Sequence, residues 1–300
     1  MKSGLVFGSM VLALIISIFL APITHATSAP SRQLAITPLR TEYTIPAGTT
    51  QKGTITLKNT GTEALNVTLD AEAFKVINEN YDYAFFPNAP SGDWVSFSAD
   101  QFELQANTSR NIEYSLNVPL SAEPGGKYLS IFAASTPTDQ TKTIIPVERV
   151  GSLLYLTIPG HNSHMGKLLS LHTPFVILGD SKWDATIQNN GNDHFRGTYT
   201  ATLSTITKYK LSSSTDNPLI LPQTVRLISD TISAPQWIGI YRVDYDFNLG
   251  DSPDAIETRW LVNLPPLQLG ALAAILFAIT LINIGLAKKI KRHHKKPKKD

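Results

Sequence analysis

The sequence predicts an all-β protein: two tandem Ig-like β-sandwiches in an ectodomain, followed by one C-terminal transmembrane α-helix. Three observations carry the prediction. Short runs alternating between apolar and polar residues, rich in Thr, Val, Ile, Tyr and Phe, are separated by Gly, Pro, Asn and Asp, as in half-buried strands of a sandwich. One such pattern occurs twice, about 130 residues apart. An uncharged apolar run at 267–287 is followed at once by a lysine-rich tail.

The first element is a secretory signal over 1–26. A basic start at Lys2 leads into the apolar stretch 5–20 and then into small residues. Cleavage is expected after Ala26, with Ala29 as a second choice, because a charged start, apolar centre and small-residue exit are what a signal peptidase accepts. An uncleaved N-terminal anchor is the competing reading.

The ectodomain follows, divided into 27–160 and 161–264. In residues 53–74, Ile55 and Leu57 alternate with polar neighbours, Asn59-Thr60-Gly61 turns the chain, and Leu65, Val67 and Leu69 alternate again. Period two buries one face of a strand and wets the other. In residues 183–204, Ala185 and Ile187 lead into Asn189-Asn190-Gly191, and Tyr199, Ala201 and Leu203 lead away. A second landmark repeats in the same order: Arg110 before Gly126-Lys127-Tyr128, and Arg226 before Gly239-Ile240-Tyr241. The join is expected near 159–167, where Pro159, Gly160 and Gly166 interrupt the alternation. The segment 205–222, serine-rich at 212–218, reads as a polar hairpin or loop.

The last elements are the helix, 265–287, and a basic tail, 288–300. Twenty-one residues at ~1.5 Å each span ~31 Å, the thickness of a hydrocarbon core. Lys288, Lys289, Lys291, Arg292, Lys295 and Lys296 lie in the tail and act as its topology signal, placing it in the cytoplasm. The expected location is the plasma membrane, single-pass, with the ectodomain extracellular. Binding of the tail to anionic lipid or nucleic acid is the functional alternative to a topology signal.

Charge and cysteine content narrow the function. Lys2 and eight tail residues account for nine of the 26 Lys and Arg, and Asp300 for one of the 24 Asp and Glu; 17 basic residues against 23 acidic ones remain, a net of about −6 for the ectodomain. That leaves no basic field for nucleic acid. The chain has no cysteine, so an exported domain must hold together without disulfides.

Several of these residues resemble a group of bacterial exported Ig-like proteins. They are Ile36-Thr37-Pro38, Arg40, Glu42, Ala47-Gly48 and Asn59 in one stretch, and Trp94, Phe97-Ser98, Phe102, Leu104 and Pro124-Gly125-Gly126-Lys127-Tyr128 in the next. With the second module, the membrane span and the lysine-rich tail, the layout resembles the WxL-interacting protein family of Gram-positive bacteria. That resemblance implies a first domain that binds peptidoglycan and a second Ig-like domain. No binding residue transfers with it.

The sequence carries no motif for catalysis. Gly126-Lys127 lacks the glycine and hydroxyl residue of a phosphate loop, and there is neither a nucleophile elbow nor an HExxH helix. His161 and His164 sit in the join without a neighbouring carboxylate in sequence, and residues 250–254 lack the ligands of a calcium loop. No cofactor and no metal are expected. Tyr81, Tyr83, Phe85 and Trp94 surround a loop marked by Pro87, Pro90 and Gly92; they are the candidate ligand-binding residues, because aromatic side chains at a sandwich edge grip glycans or proteins. Packing into the first core is the other reading of the same residues.

The expected function is therefore a non-enzymatic cell-surface module, tethered to the plasma membrane, that binds cell-wall polymer (peptidoglycan) or another envelope protein. The alternative is a membrane-tethered, chaperone-like protein that accepts a partner strand on a sandwich edge. A long open edge would favour strand addition; a charged edge would favour the surface module.

Overall fold

A computed structural model describes residues 34–138 and 147–293. The expected signal peptide and the tail residues Lys295 and Lys296 lie outside the described residues, as do residues 139–146.

The first sandwich is built from ten strands: β1 (Leu34–Thr37), β2 (Arg40–Thr44), β3 (Thr50–Asn59), β4 (Leu65–Val76), β5 (Tyr83–Phe86), β6 (Val95–Phe97), β7 (Gln101–Leu104), β8 (Ser109–Asn117), β9 (Gly125–Pro137) and β10 (Glu148–Ile158). One sheet has the order β1-β3-β8-β6. The facing sheet has the order β2-β10-β9-β4-β5, with β7 also on β4. Alternate residues point inward as the period-two pattern requires: Ile55, Leu57, Leu65, Val67, Ile112, Leu116, Leu129, Ile131, Leu154 and Leu156 are buried between the sheets.

The second sandwich comprises β11 (Gly166–His172), β12 (Val176–Ile177), β13 (Ser181–Asn189), β14 (Phe195–Arg196), β15 (Tyr199–Ser204), β16 (Lys210–Asp216), β17 (Leu219–Ile220), β18 (Thr224–Ile232), β19 (Gly239–Leu249) and β20 (Ser252–Asn263). Its sheets run β11-β13-β18 and β12-β20-β19-β15-β16, and β14 pairs with β17. Trp183, Ile187, Tyr199, Val243, Tyr245 and Phe247 fill its core.

The internal repeat is one of topology. β1 and β11 each run antiparallel to the third strand of their domain, and β2 and β12 each run parallel to the last. β3–β8 and β13–β18 are equivalent pairs, as are β9–β10 and β19–β20.

Two local features differ from a simple reading of the alternation. The Asn59-Thr60-Gly61 turn does not join a hairpin: β3 pairs with β8 and β4 with β9, so the turn carries the chain from one sheet to the other. Period two is the same on both sides of a hairpin and of a crossover, which is why alternation alone does not separate them. Of the two readings of the serine-rich stretch, hairpin or loop, the structure has the hairpin: residues 212–216 form most of β16, an edge strand on β15. Its Ser and Thr side chains are small and polar on both faces, exposed at Ser213 and Thr215 and half-buried at Ser212 and Ser214, so no apolar alternation marks it.

One helix, α1 (Pro266–His293), follows the second sandwich. Its segment Pro266–Lys288 has a mean hydropathy of 2.3 and no part of it is buried in the protein. By length and composition it is apolar enough to cross a membrane.

Candidate functional site

Of the four aromatic residues singled out by sequence, Tyr81, Tyr83 and Phe85 gather in one cluster and Trp94 packs elsewhere, on the first core. Tyr81, in the loop between β4 and β5, is only 9% exposed and adopts φ +66°. Its hydroxyl accepts from the Leu221 amide at 2.8 Å and lies 3.0 Å from the Thr224 hydroxyl. The Arg226 guanidinium sits 4.2 Å from its ring centroid. Burial raises the Tyr81 phenol above its ordinary value, and the partners Thr224, Leu221 and Arg226 work against that rise. Tyr83 and Phe85 are half-buried on β5 and pack against Phe74. Phe85 also meets Phe132 edge-on at 4.8 Å, and the Tyr83 hydroxyl is 3.4 Å from that of Tyr155. Trp94 ends a 3₁₀ turn, Gly92–Trp94, and packs on the first core.

Tyr81 thus belongs to a junction between the sandwiches. Phe74, Tyr81 and Tyr155 from the first domain and Leu219 and Leu221 from the second form one buried cluster. A cleft of about 440 Å³ opens beside it, lined by Phe74, Val76, Lys127, Tyr128, Leu221 and Thr224 among others.

A polar seam continues the junction. The Gly126 amide donates to Asn192 O at 2.9 Å. Gly125 has φ +114°, and a Cβ there would lie 2.5 Å from Asn192 O, so the loops can approach only because this position is glycine. Asp193 is 1% exposed. Its carboxylate accepts from Asn162 Nδ2 at 2.9 Å and Thr157 Oγ1 at 3.2 Å, and lies 3.0 Å from His194 Nδ1. Burial pushes the Asp193 carboxyl up, but the hydrogen bonds and charge of His194, with Asn162, outweigh it and hold the group below the ordinary carboxylate value. His194 Nδ1 also lies 3.1 Å from the Tyr128 hydroxyl. An ion pair between Arg196 and Glu42 closes the seam.

The fold therefore brings partners to histidines that look isolated in the sequence. His194 packs against Tyr128 and Tyr155. His164 Nδ1 lies 3.1 Å from Asp251 Oδ2, and its Nε2 3.7 Å from Asp193. Among the described residues no group of three or more His, Cys, Asp or Glu is placed to hold a metal ion.

A second site lies at the far edge of the first sandwich, and sequence reasoning missed it. β9 pairs with β10 along Glu148–Ile158, but β2 covers β10 only from Leu153 to Thr157. The Leu153 amide donates to Leu39 O at 2.9 Å on the β2 side. Backbone groups alternate sides along a strand, so those of Arg149 and Gly151 face the same side, where no described strand pairs with them. β1 passes close by, bound through Leu34 N to Glu148 Oε2 at 3.0 Å, and exchanges no strand ladder with β10. The result is a groove of about 590 Å³ lined by Leu34, Ile36, Leu39, Arg149, Val150 and Gly151 among others. Gly151 packs against Phe132, where a Cβ would meet the ring at 2.9 Å.

Arg149 borders this groove. Its guanidinium stacks 3.5 Å from the Phe132 ring centroid and pairs with Asp70 at 2.9 Å and with Glu72, which is 7% exposed. The groove is thus lined by apolar residues together with Thr60 and Glu148, and Arg149 holds a cation at its rim.

No protein-family model matches the sequence, and no curated protein matches it. Solved structures do resemble the fold. A class 5 fimbriae chaperone, CfaA, is 13% identical with a TM-score of 0.40, over 77% of this chain and 99% of its own. The CsuC–CsuE chaperone–tip adhesion subunit complex of Acinetobacter baumannii aligns at 11% identity and a TM-score of 0.37, over 77% of this chain and 99% of the matched chain. The SafA pilin with its SafB chaperone, from Salmonella enterica, gives 11% and 0.39 over the same shares. With TM-scores this low, the two-sandwich architecture rests on the chain's own strand pairings.

Proposed function

We propose that this chain is a non-enzymatic binding module of a bacterial cell envelope, anchored by α1 across the plasma membrane with its sandwiches outside and its C-terminus in the cytoplasm. Its partner is another envelope protein, which adds an extended strand to the uncovered part of β10. This joins the expected surface module to its chaperone-like alternative.

The observation that supports it is the half-covered β10. Ladder groups of Arg149 and Gly151 face a groove lined by Leu34, Ile36, Leu39 and Val150 together with Thr60 and Glu148. An added strand gains backbone hydrogen bonds from such an edge and specificity from alternate side chains entering the groove. β16, another strand at a sheet edge, is mostly polar and is flanked by Lys210 and Asp216, which discourages pairing. Tyr83 and Phe85 offer a polymer only half-buried edges, so the peptidoglycan reading implied by the WxL-interacting resemblance has less to stand on than the strand reading.

The test is a photo-crosslinking side chain in intact cells, placed at Leu39 beside the groove or at Tyr209 in the second domain; both are 71% exposed. A discrete protein adduct from position 39 alone, with slowed amide exchange at Arg149 and Gly151 in the recovered complex, is expected. Identical products from both positions, or unchanged exchange at those amides, would refute the reading.

A further inference from the structure

Apolar side chains are exposed together where the second sandwich meets α1. Phe175 is 64% exposed, Leu178 60%, Trp237 66%, Ile238 44%, Ile240 55% and Trp260 46%. Strand register puts them side by side. Val262 N donates to Phe175 O and Leu264 N to Ile177 O, so 175–178 runs along the last residues before the helix. Ile240 pairs with Val262, and Gly239 with Asn263, which sets Trp237 and Ile238 level with the residues that open α1.

This rim is held in place. Asn263, fully buried, donates Nδ2 to Pro235 O at 2.7 Å and Trp237 O at 3.0 Å. The Tyr241 hydroxyl donates to Trp237 O at 2.8 Å. Gln268, in the first turn of α1, accepts from Ile238 N and donates to Gln236 O, both at 2.8 Å. A side-chain amide of the helix therefore grips the loop on both sides of Trp237. An exposed tryptophan so firmly positioned is not explained by the packing of its own domain.

We infer that this rim is a membrane-docking surface: Phe175, Leu178, Trp237, Ile238 and Ile240 sit in the headgroup layer of the bilayer that α1 crosses, and Trp260 marks its upper margin. The inference rests on the reading of α1 as a membrane span. Only Leu264 and Pro265 separate the last residue of β20 from the helix. Two extended residues reach about 7 Å, and the headgroup layer on each side of the hydrocarbon is about 5–7 Å thick. The rim therefore has no room to stand clear of the lipid. Aromatic and aliphatic side chains at that depth are stabilised, because a ring is apolar on its face and polar at its edge. The ectodomain is then held against the membrane in one orientation, with no flexible stalk.

Bromolipid quenching of tryptophan fluorescence tests this on the full chain in phosphatidylcholine vesicles, with bromines placed near either the headgroup end or the terminus of the acyl chain. Trp183 is fully buried and Trp94 packs on the first core, so quenching from the shallow bromines reports on Trp237 and Trp260. The wild type should be quenched more by shallow than by deep bromines. W237F should lose most of that quenching, and W237F/W260F nearly all of it. Equal quenching in the wild type and the double variant overturns the docking surface, as does a detergent-free dimer whose interface covers Trp237. Alkaline carbonate extraction separates the two readings: a chain retained in membranes but unquenched refutes docking alone, and a chain extracted from them refutes the span and the docking with it.

Discussion

Asn59 and Asn189 make the same three hydrogen bonds in the two domains. Each side-chain amide donates to the carbonyl four residues ahead, Glu63 or Asp193, and to a strand across the sandwich, Leu104 or Ile220. Each side-chain oxygen accepts from the glycine two residues on, Gly61 or Gly191. Both side chains are fully buried. Asparagine is the residue that fits, because only an amide supplies two donors and an acceptor in so short a side chain.

Replacing either asparagine should therefore be costly and local to its own domain. Asn59→Ala or Asn189→Ala strands buried carbonyls and a glycine amide, each worth about 1–3 kcal/mol when left unpaired. The expected loss is about 3 kcal/mol of stability, read from urea unfolding of the two-sandwich segment 27–264. Asn→Asp at either position should cost about as much, since it removes both donors. A loss below about 1 kcal/mol for both variants would show that the corner is not where the turn is held.

The repeat was legible in the sequence because it is written in short-range terms: alternation, Asn-x-Gly at the end of the third strand, Gly-x-Tyr at the start of another. The apolar run of α1 was legible for the same reason. The junction was not. Tyr81 binds Leu221 across 140 positions, and an aromatic residue beside a proline-marked loop looks the same whether it meets a ligand or a second domain. The stretch of β10 with no described strand beside it was hidden too, since its extent depends on where β2 begins on the neighbouring strand. The one signal available for the junction was the pair Gly125-Gly126: two glycines at a strand start announce a close approach, though not of what.

Tyr81→Phe should loosen the junction without disturbing either core. The variant keeps the ring over Arg226 and removes the hydroxyl that accepts from the buried Leu221 amide. An unpaired buried amide costs about 1–3 kcal/mol. The expected result is a loss in that range together with a wider spread of domain orientations in small-angle scattering. A double-mutant cycle with Thr224→Val should give a non-zero coupling energy, because the two hydroxyls are 3.0 Å apart. Additive effects would mean that the contact contributes nothing of its own.

Acid should open the same junction from its polar side. The folded Asp193 carboxyl titrates below its ordinary value. A group depressed in this way contributes stability that is complete above the unfolded value of about 4 and is lost as the pH falls through the folded value. Stability measured downward from neutrality should decline below about pH 4, and Asp193→Asn should flatten that part of the profile while lowering stability at neutral pH. A variant with the wild-type acid profile would place the titration elsewhere.

Arg149 gives a last prediction, because it joins the stability of β10 to the proposed strand site. Glu72 is buried, and Arg149 is its ion-pair partner. Removing one partner of a buried pair leaves an uncompensated charge and costs about 3–5 kcal/mol; here Arg149 is itself partly exposed, so about 2–3 kcal/mol is expected for Arg149→Ala. Arg149→Lys keeps the charge but loses the planar stack on Phe132 and the fixed guanidinium geometry that sets Nη2 against both Asp70 and Glu72. It should fall between the wild type and alanine. If strand addition occurs at β10, the lysine variant should still yield the position-39 adduct, since the ladder groups at Arg149 and Gly151 belong to the backbone. Arg149→Pro removes one of those groups and should abolish the adduct. Proline and alanine variants of matched stability that yield the same adduct would rule out backbone pairing at this edge.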